Sequence, residues 1–363
     1  MKKYLTVFII YINSYCFLFG QHTNPIIVDL KTHYGFIAPH RKGFSNLVRG
    51  HSAIFEIGIK QNSEQINAWD NKLQKSKAGA KIFFGDLGNR EQLGRFIAIA
   101  PSIEFLLLNK KIKWSLNLTN GIGYVSKPFN LKTNHKNDLL GSNINMFVNF
   151  QTQCYLNINS RLKFTSGLSF SHLSNGAFAL PNLGINIPGI LIGFEYKIDQ
   201  EFKQKKKPIS FAKSANKFLL LSDFGFGIKE YTVDGVKNPI VSNSVDLWYA
   251  ISKTSSIGII SDLFYNSALQ RHFLKTNQGK TNSLQVIRHG IGLGYKLNLS
   301  RVDLYCQLGI YTYAKNNFQS FMFQKIGGYV WITQNLFASV NLKTHYAVAD
   351  FFEFGLGYRL WGK

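Results

Sequence analysis

The chain has 363 residues, of which 42 are lysine or arginine and 19 are aspartate or glutamate, giving a net charge of +23. Its three cysteines form no C-x-x-C pair and lie near no histidine cluster, which excludes a disulfide scaffold and offers neither a metal motif nor any other cofactor motif. Beyond the amino terminus no segment supplies the roughly 20 uninterrupted apolar residues of a membrane helix, so a bilayer could be crossed only by a closed barrel.

The first element is a leader. Met1-Lys2-Lys3, the apolar run from Tyr4 to Ile12 and the Phe17-Leu18-Phe19-Gly20 stretch have the layout of a signal peptide over residues 1–20, with cleavage expected near Gly20. After it, apolar and polar residues alternate over stretches of about ten, separated by Gly, Asn, Lys and Pro clusters, which is the repeated signature of outer-membrane strands. Strands are expected near 25–37, 50–61, 77–86, 94–108, 111–124, 143–157, 161–174 and 186–198. Eight strands suffice to close a small barrel.

A lysine-rich stretch, 199–216, contains Lys205-Lys206-Lys207-Pro208 and is expected to be a linker. Eight more strands follow, near 217–230, 243–252, 255–265, 283–298, 301–314, 319–333, 335–346 and 351–361. The fold expected is therefore all-β, a transmembrane antiparallel β-barrel built as two tandem 8-stranded barrels, 21–198 and 217–363. One 16-stranded barrel would show the same alternation and stays open as the alternative, although a linker this long is unusual for a periplasmic turn.

Parity along the strands separates inside from outside. Glu56, Lys60, Glu195 and Lys197 fall opposite the apolar stripe together with Gly58, Gly189 and Gly193, as suits a narrow barrel filled by its own side chains. Leu30-Lys31-Thr32-His33-Tyr34 returns as Leu342-Lys343-Thr344-His345-Tyr346, a hint of duplication, but parity puts His345 on the polar, interior side. His33, His40, His51 and His135 have no ligand spacing and are expected at the rim or inside.

The segment from Ser171 to Asn186 carries the chemistry. Leu162, Phe164, Leu168, Phe170, His172 and Ser174 share one strand face, so a potential base and nucleophile sit at the end of an apolar stripe. With the amino terminus in the periplasm this strand ends at the extracellular rim. The next strand returns with Pro188, Ile190, Ile192, Phe194 and Tyr196 outward, which brings Asn186 to the same side across the hairpin.

This hairpin resembles the active-site hairpin of the PagL-type lipid A 3-O-deacylases. His172-x-Ser174-Asn175 followed by Pro181-Asn182-x-Gly184 fits the family pattern, whereas Asn186 stands where that pattern has an acid. The resemblance reaches over roughly 21–198 and implies an eight-stranded outer-membrane barrel acting on an acyl ester at the 3-position of lipid A. It implies Ser174 as nucleophile, His172 as general base and position 186 as the residue that orients the histidine. Asn175, Gly176 and Asn182 could give N–H donors to the oxyanion, and Gly184 shapes the turn, although turns select the same residue types.

The partner implied is lipid A or lipopolysaccharide of the outer leaflet, whose phosphates suit the basic balance and the residues expected near the rim, Arg41, Lys42, Lys127 and Lys132. No nucleic-acid-binding motif is present. The competing class is a non-catalytic barrel, a pore, adhesin or structural protein, carrying a relic site. The second half has no role legible in its sequence beyond its barrel pattern, and the oligomeric state is not encoded in any motif.

Overall fold

The computed structural model describes residues 25–40, 45–62, 76–109, 112–198, 217–275, 283–299, 301–315, 320–346 and 348–362. The expected leader 1–20 and linker 199–216 lie outside the described residues, as do Arg41 and Lys42.

Sixteen antiparallel strands form two closed barrels of eight. The first runs β1 (Ile26–Phe36), β2 (His51–Asn62), β3 (Lys77–Asp86), β4 (Arg95–Asn109), β5 (Lys113–Val125), β6 (Ile144–Asn157), β7 (Leu162–Ser174) and β8 (Ile185–Ile198). Pairing of β1 with β8, in a register that opposes Asp29 to Glu195 and His33 to Leu191, closes it. The second runs β9 (Phe218–Glu230), β10 (Lys237–Ala250), β11 (Ser255–Asn266), β12 (Ile287–Leu299), β13 (Val302–Ala314), β14 (Met322–Trp331), β15 (Leu336–His345) and β16 (Val348–Trp361), closed by β16 against β9. Separate closure excludes the single sixteen-stranded barrel.

Alternation decides what each strand buries. In β1, Asp29, Lys31 and His33 are buried while Leu30 and Tyr34 are more than half exposed. The same outward placement of Ile57, Ile59, Leu168, Ile190 and Ile192 gives the first barrel an apolar outer wall. Apolar exposure on this scale needs a covering medium. Cys154 and Cys306 are free and exposed.

The interior of the first barrel is layered. Toward one end, Lys60 bridges carboxylates from three strands: Asp29 Oδ2 at 3.1 Å, Glu104 Oε2 at 2.6 Å and Glu195. Glu56 accepts from Lys81 at 2.9 Å and contacts His33 Nε2 at 3.0 Å. Toward the other end, where the connections after β1, β3, β5 and β7 gather, the filling is apolar: Ile54, Phe83, Phe96, Phe147, Leu173 and Ile185 belong to one buried cluster. The second barrel has its own bridging lysine, Lys325, at 3.0 Å from Asp262 and 2.8 Å from Glu353. His345 is buried against the Tyr311 hydroxyl at 2.9 Å, as its parity requires.

Two strand starts and one connection differ most from expectation. Strand β10 starts at Lys237 rather than near 243, and its first residues, Lys237 to Pro239, pair with β9 alone. Helix α1 (Ala268–Lys275) occupies the connection after β11; Asn266 Oδ1 caps it by accepting from Ala268 N–H at 3.1 Å, and Leu269 and Phe273 pack with Val286. The strand expected from 283 begins instead as a 3₁₀ turn, Ser283–Val286, and β12 starts at Ile287.

Lys60→Ala removes the cation shared by Asp29, Glu104 and Glu195 and leaves Lys31 and Lys77 as their remaining partners. It is expected to lower the unfolding free energy by about 3–5 kcal/mol, read from urea titration of the purified protein in detergent micelles. Replacing exposed Lys136 by Ala should change it by no more than about 0.5 kcal/mol.

Candidate active site

The inward residues hold the site. Leu173 and Ile185 are fully buried and Ile187 nearly so, all within the apolar cluster, and each such side chain stabilises its placement by about 1.5–3 kcal/mol. Leu173 opposes Ile185 and His172 opposes Asn186 in the β7–β8 register. A one-residue slip would expose these anchors and turn the polar residues inward. Outward projection of His172, Ser174 and Asn186 is therefore a consequence of what their neighbours bury.

The three side chains form one hydrogen-bonded row. His172 Nε2 lies 2.9 Å from Ser174 Oγ, and His172 Nδ1 lies 2.6 Å from Asn186 Oδ1. An amide oxygen can only accept, so Nδ1 carries the proton and the Nε2 lone pair accepts from the Ser174 hydroxyl. Ser174 is buried and His172 partly so. A histidine in this tautomer can take the serine proton.

The loop after β7 is tied to its surroundings. Asn175 N–H donates to Asn182 Oδ1 at 3.0 Å, and Asn175 Nδ2 donates to Ser142 Oγ at 2.9 Å. The Asn175 N–H, an expected oxyanion donor, is thus taken up by the Asn182 side-chain oxygen in this arrangement. Gly176 adopts φ +61°, and Gly184 φ +78° with its N–H donating to Leu139 O at 3.0 Å. A Cβ on Gly184 would stand 3.0 Å from His172 Cε1, so this glycine leaves room for the imidazole.

His40, expected as a rim or interior residue, stands at the site. Its Nδ1 is 3.1 Å from Asn186 Nδ2 and its Nε2 is 3.1 Å from Leu183 O. The signal that would have found it is topological: closing β1 on β8 carries the residues after β1 to the start of β8. Lys127 donates to Glu91 O at 3.0 Å, on the exposed surface. Among the described residues no group of three or more His, Cys, Asp and Glu side chains could hold a metal.

Fold and side chains together define a closed antiparallel barrel with a serine–histidine–amide row on its outer wall. The family described as Lipid A 3-O-deacylase (PagL) matches residues 55–195, and that described as Acyloxyacyl hydrolase, C-terminal domain, matches residues 217–363. The first barrel belongs to the lipid A 3-O-deacylase (PagL) family.

Among solved structures, that of the outer membrane enzyme PagL is 14% identical and covers 47% of this chain and 99% of its own, with a TM-score of 0.33. A mutant of the Rh. blastica porin is 8% identical, covering 92% of this chain and all of its own at a TM-score of 0.20. CdiB from Acinetobacter baumannii is 8% identical, covering 92% of this chain and 60% of its own at a TM-score of 0.20. No curated protein matches the chain.

Gly184→Ala is expected to lower the unfolding free energy by about 1–2 kcal/mol, the cost of a side chain in the left-handed region, and to displace the His172 ring. The His172 Cε1–H resonance in NMR spectra of histidine-labelled protein checks the second effect; an unmoved resonance would show that the ring has room.

Proposed function

We propose that this protein is an outer-membrane lipid A deacylase that hydrolyses the ester-linked acyl chain at the 3-position, with Ser174 as nucleophile, His172 as general base and Asn186 as the residue that orients His172. The observation that carries this reading is the Ser174–His172–Asn186 row on the apolar outer wall, with distances of 2.9 and 2.6 Å. Membership of the lipid A 3-O-deacylase family supports the substrate class.

The chemistry follows from those atoms. Ser174 Oγ attacks the ester carbonyl carbon while its proton passes to His172 Nε2. The tetrahedral intermediate collapses with loss of the sugar 3-hydroxyl, protonated from Nε2, and leaves an acyl-serine. Water, deprotonated by the same nitrogen, then releases the fatty acid and restores Ser174. Backbone N–H groups of the 175–184 loop would meet the oxyanion, which requires Asn175 to exchange its bond to Asn182 for one to substrate.

Placement replaces a deep pocket. A lipid substrate lies alongside an outward-facing serine and reaches it by lateral diffusion. In this reading residues 1–20 direct export, 21–198 form the catalytic barrel, 199–216 connect, and 217–363 form a second barrel beside which no chemistry is assigned. The basic balance of the chain suits lipid A phosphates.

Mass spectrometry of lipid A from Gram-negative cells producing the protein tests the reading. Wild-type protein should remove the 3-O acyl chain, and Ser174→Ala and His172→Ala should each lower the rate by about 10⁴-fold or more. Unchanged lipid A in cells with folded wild-type barrel would overturn the deacylase assignment in favour of a non-catalytic barrel. Asn186→Glu should preserve or raise the rate, because a carboxylate accepts from Nδ1–H and also offsets the imidazolium charge.

A further inference from the structure

We infer that His40 is a positioning residue of the Ser174 site: through Asn186 it sets which end of the amide meets His172. The inference rests on the reading of His172 as general base.

An asparagine side chain has two ends of nearly equal shape and opposite hydrogen-bonding character. With Oδ1 toward His172, Nδ1 holds the proton and Nε2 is left to accept from Ser174. With Nδ2 toward His172, the ring must carry its proton on Nε2 and cannot take one from the serine. Asp or Glu at this position would present only acceptors and would not pose the choice. Asn186 does, so a group on its far side has to decide it.

His40 has the geometry to decide. The Leu183 carbonyl, 3.1 Å from His40 Nε2, can only accept, so Nε2 carries a proton. In the neutral ring His40 Nδ1 is then a lone pair, and it accepts from Asn186 Nδ2 at 3.1 Å. Turning the amide over would set Oδ1 against that lone pair. From the Leu183 carbonyl through His40, Asn186 and His172 to the Ser174 hydroxyl, every donor meets an acceptor in one sense only.

The backbone fixes His40 in this position independently of its ring. The β1–β8 ladder ends at Gly35 and Gly189, yet Ala38 N–H donates to Asn186 O at 2.9 Å, so the chain after β1 continues along β8 as far as the site. Ile37 is buried in the apolar cluster and anchors the strap from beneath.

The test is a double-mutant cycle on the full chain in mixed micelles with lipid A. His40→Ala should lower kcat by about 10- to 100-fold and change KM less than about twofold, because it redistributes the His172 tautomer without touching substrate. His40→Gln, whose Oε1 can accept from Asn186 Nδ2, should recover most of the loss. In an Asn186→Glu background, His40→Ala should change kcat by less than about twofold.

Equal losses in both backgrounds, or no loss in the wild-type background, would overturn the inference. Nitrogen-15 NMR of His172 reads the same claim without activity: an Nδ1–H tautomer in the wild type and a mixture in His40→Ala are expected. An unchanged tautomer in His40→Ala overturns the inference, and failure of the deacylase reading shows separately, as wild-type protein with the expected tautomer that leaves lipid A uncut.

Discussion

Closure of the β1–β8 ladder is the constraint from which the rest of the first barrel follows. An open sheet leaves a row of unpaired backbone groups at each edge, and joining β1 to β8 removes both. Once closed, the sheet has an inside and an outside, and the period of two along each strand assigns every side chain to one of them. The apolar wall, the charged interior and the outward site are three results of that assignment. The same closure carries the segment after β1 to the start of β8, which brings Ala38 and His40 beside Asn186.

Each barrel then fills its narrow interior in a similar way. Lys60 in the first and Lys325 in the second are buried among carboxylates contributed by different strands, so each ties together segments far apart in sequence. Removing one partner from such a network leaves charge with no solvent to receive it, which makes the network demanding on geometry. The first barrel keeps this polar filling away from the site. Beneath His172 and Ser174 the interior is apolar, and the Leu173 and Ile185 anchors hold the hairpin by close packing.

In the proposed mechanism a neutral residue serves where a charged one is usual. In serine proteases, exchanging the orienting acid for asparagine costs about 10⁴ in rate because the histidine takes the wrong tautomer. Here the amide presents its oxygen to His172, so the tautomer is the useful one. What asparagine cannot supply is negative charge against the imidazolium that forms during attack. Orientation and charge compensation, which a carboxylate combines, are thus separated in this chain.

The sequence by itself determined the class of fold and the strand face on which His172, Ser174 and Asn186 lie, because period-two alternation and hairpin parity are local and follow from the pleat alone. Sixteen strands were legible, as were the outward His172, Ser174 and Asn186 and the inward Glu56, Lys60 and His345. Strand β10 was read short at Pro239 and helix α1 was missed, since neither the ladder around a proline nor a cap at Asn266 shows in periodicity. Only the tertiary structure decided that the strands close as two barrels and that His40 meets Asn186. Those facts depend on which strands pair across more than a hundred residues, and no alternation of side chains records that pairing.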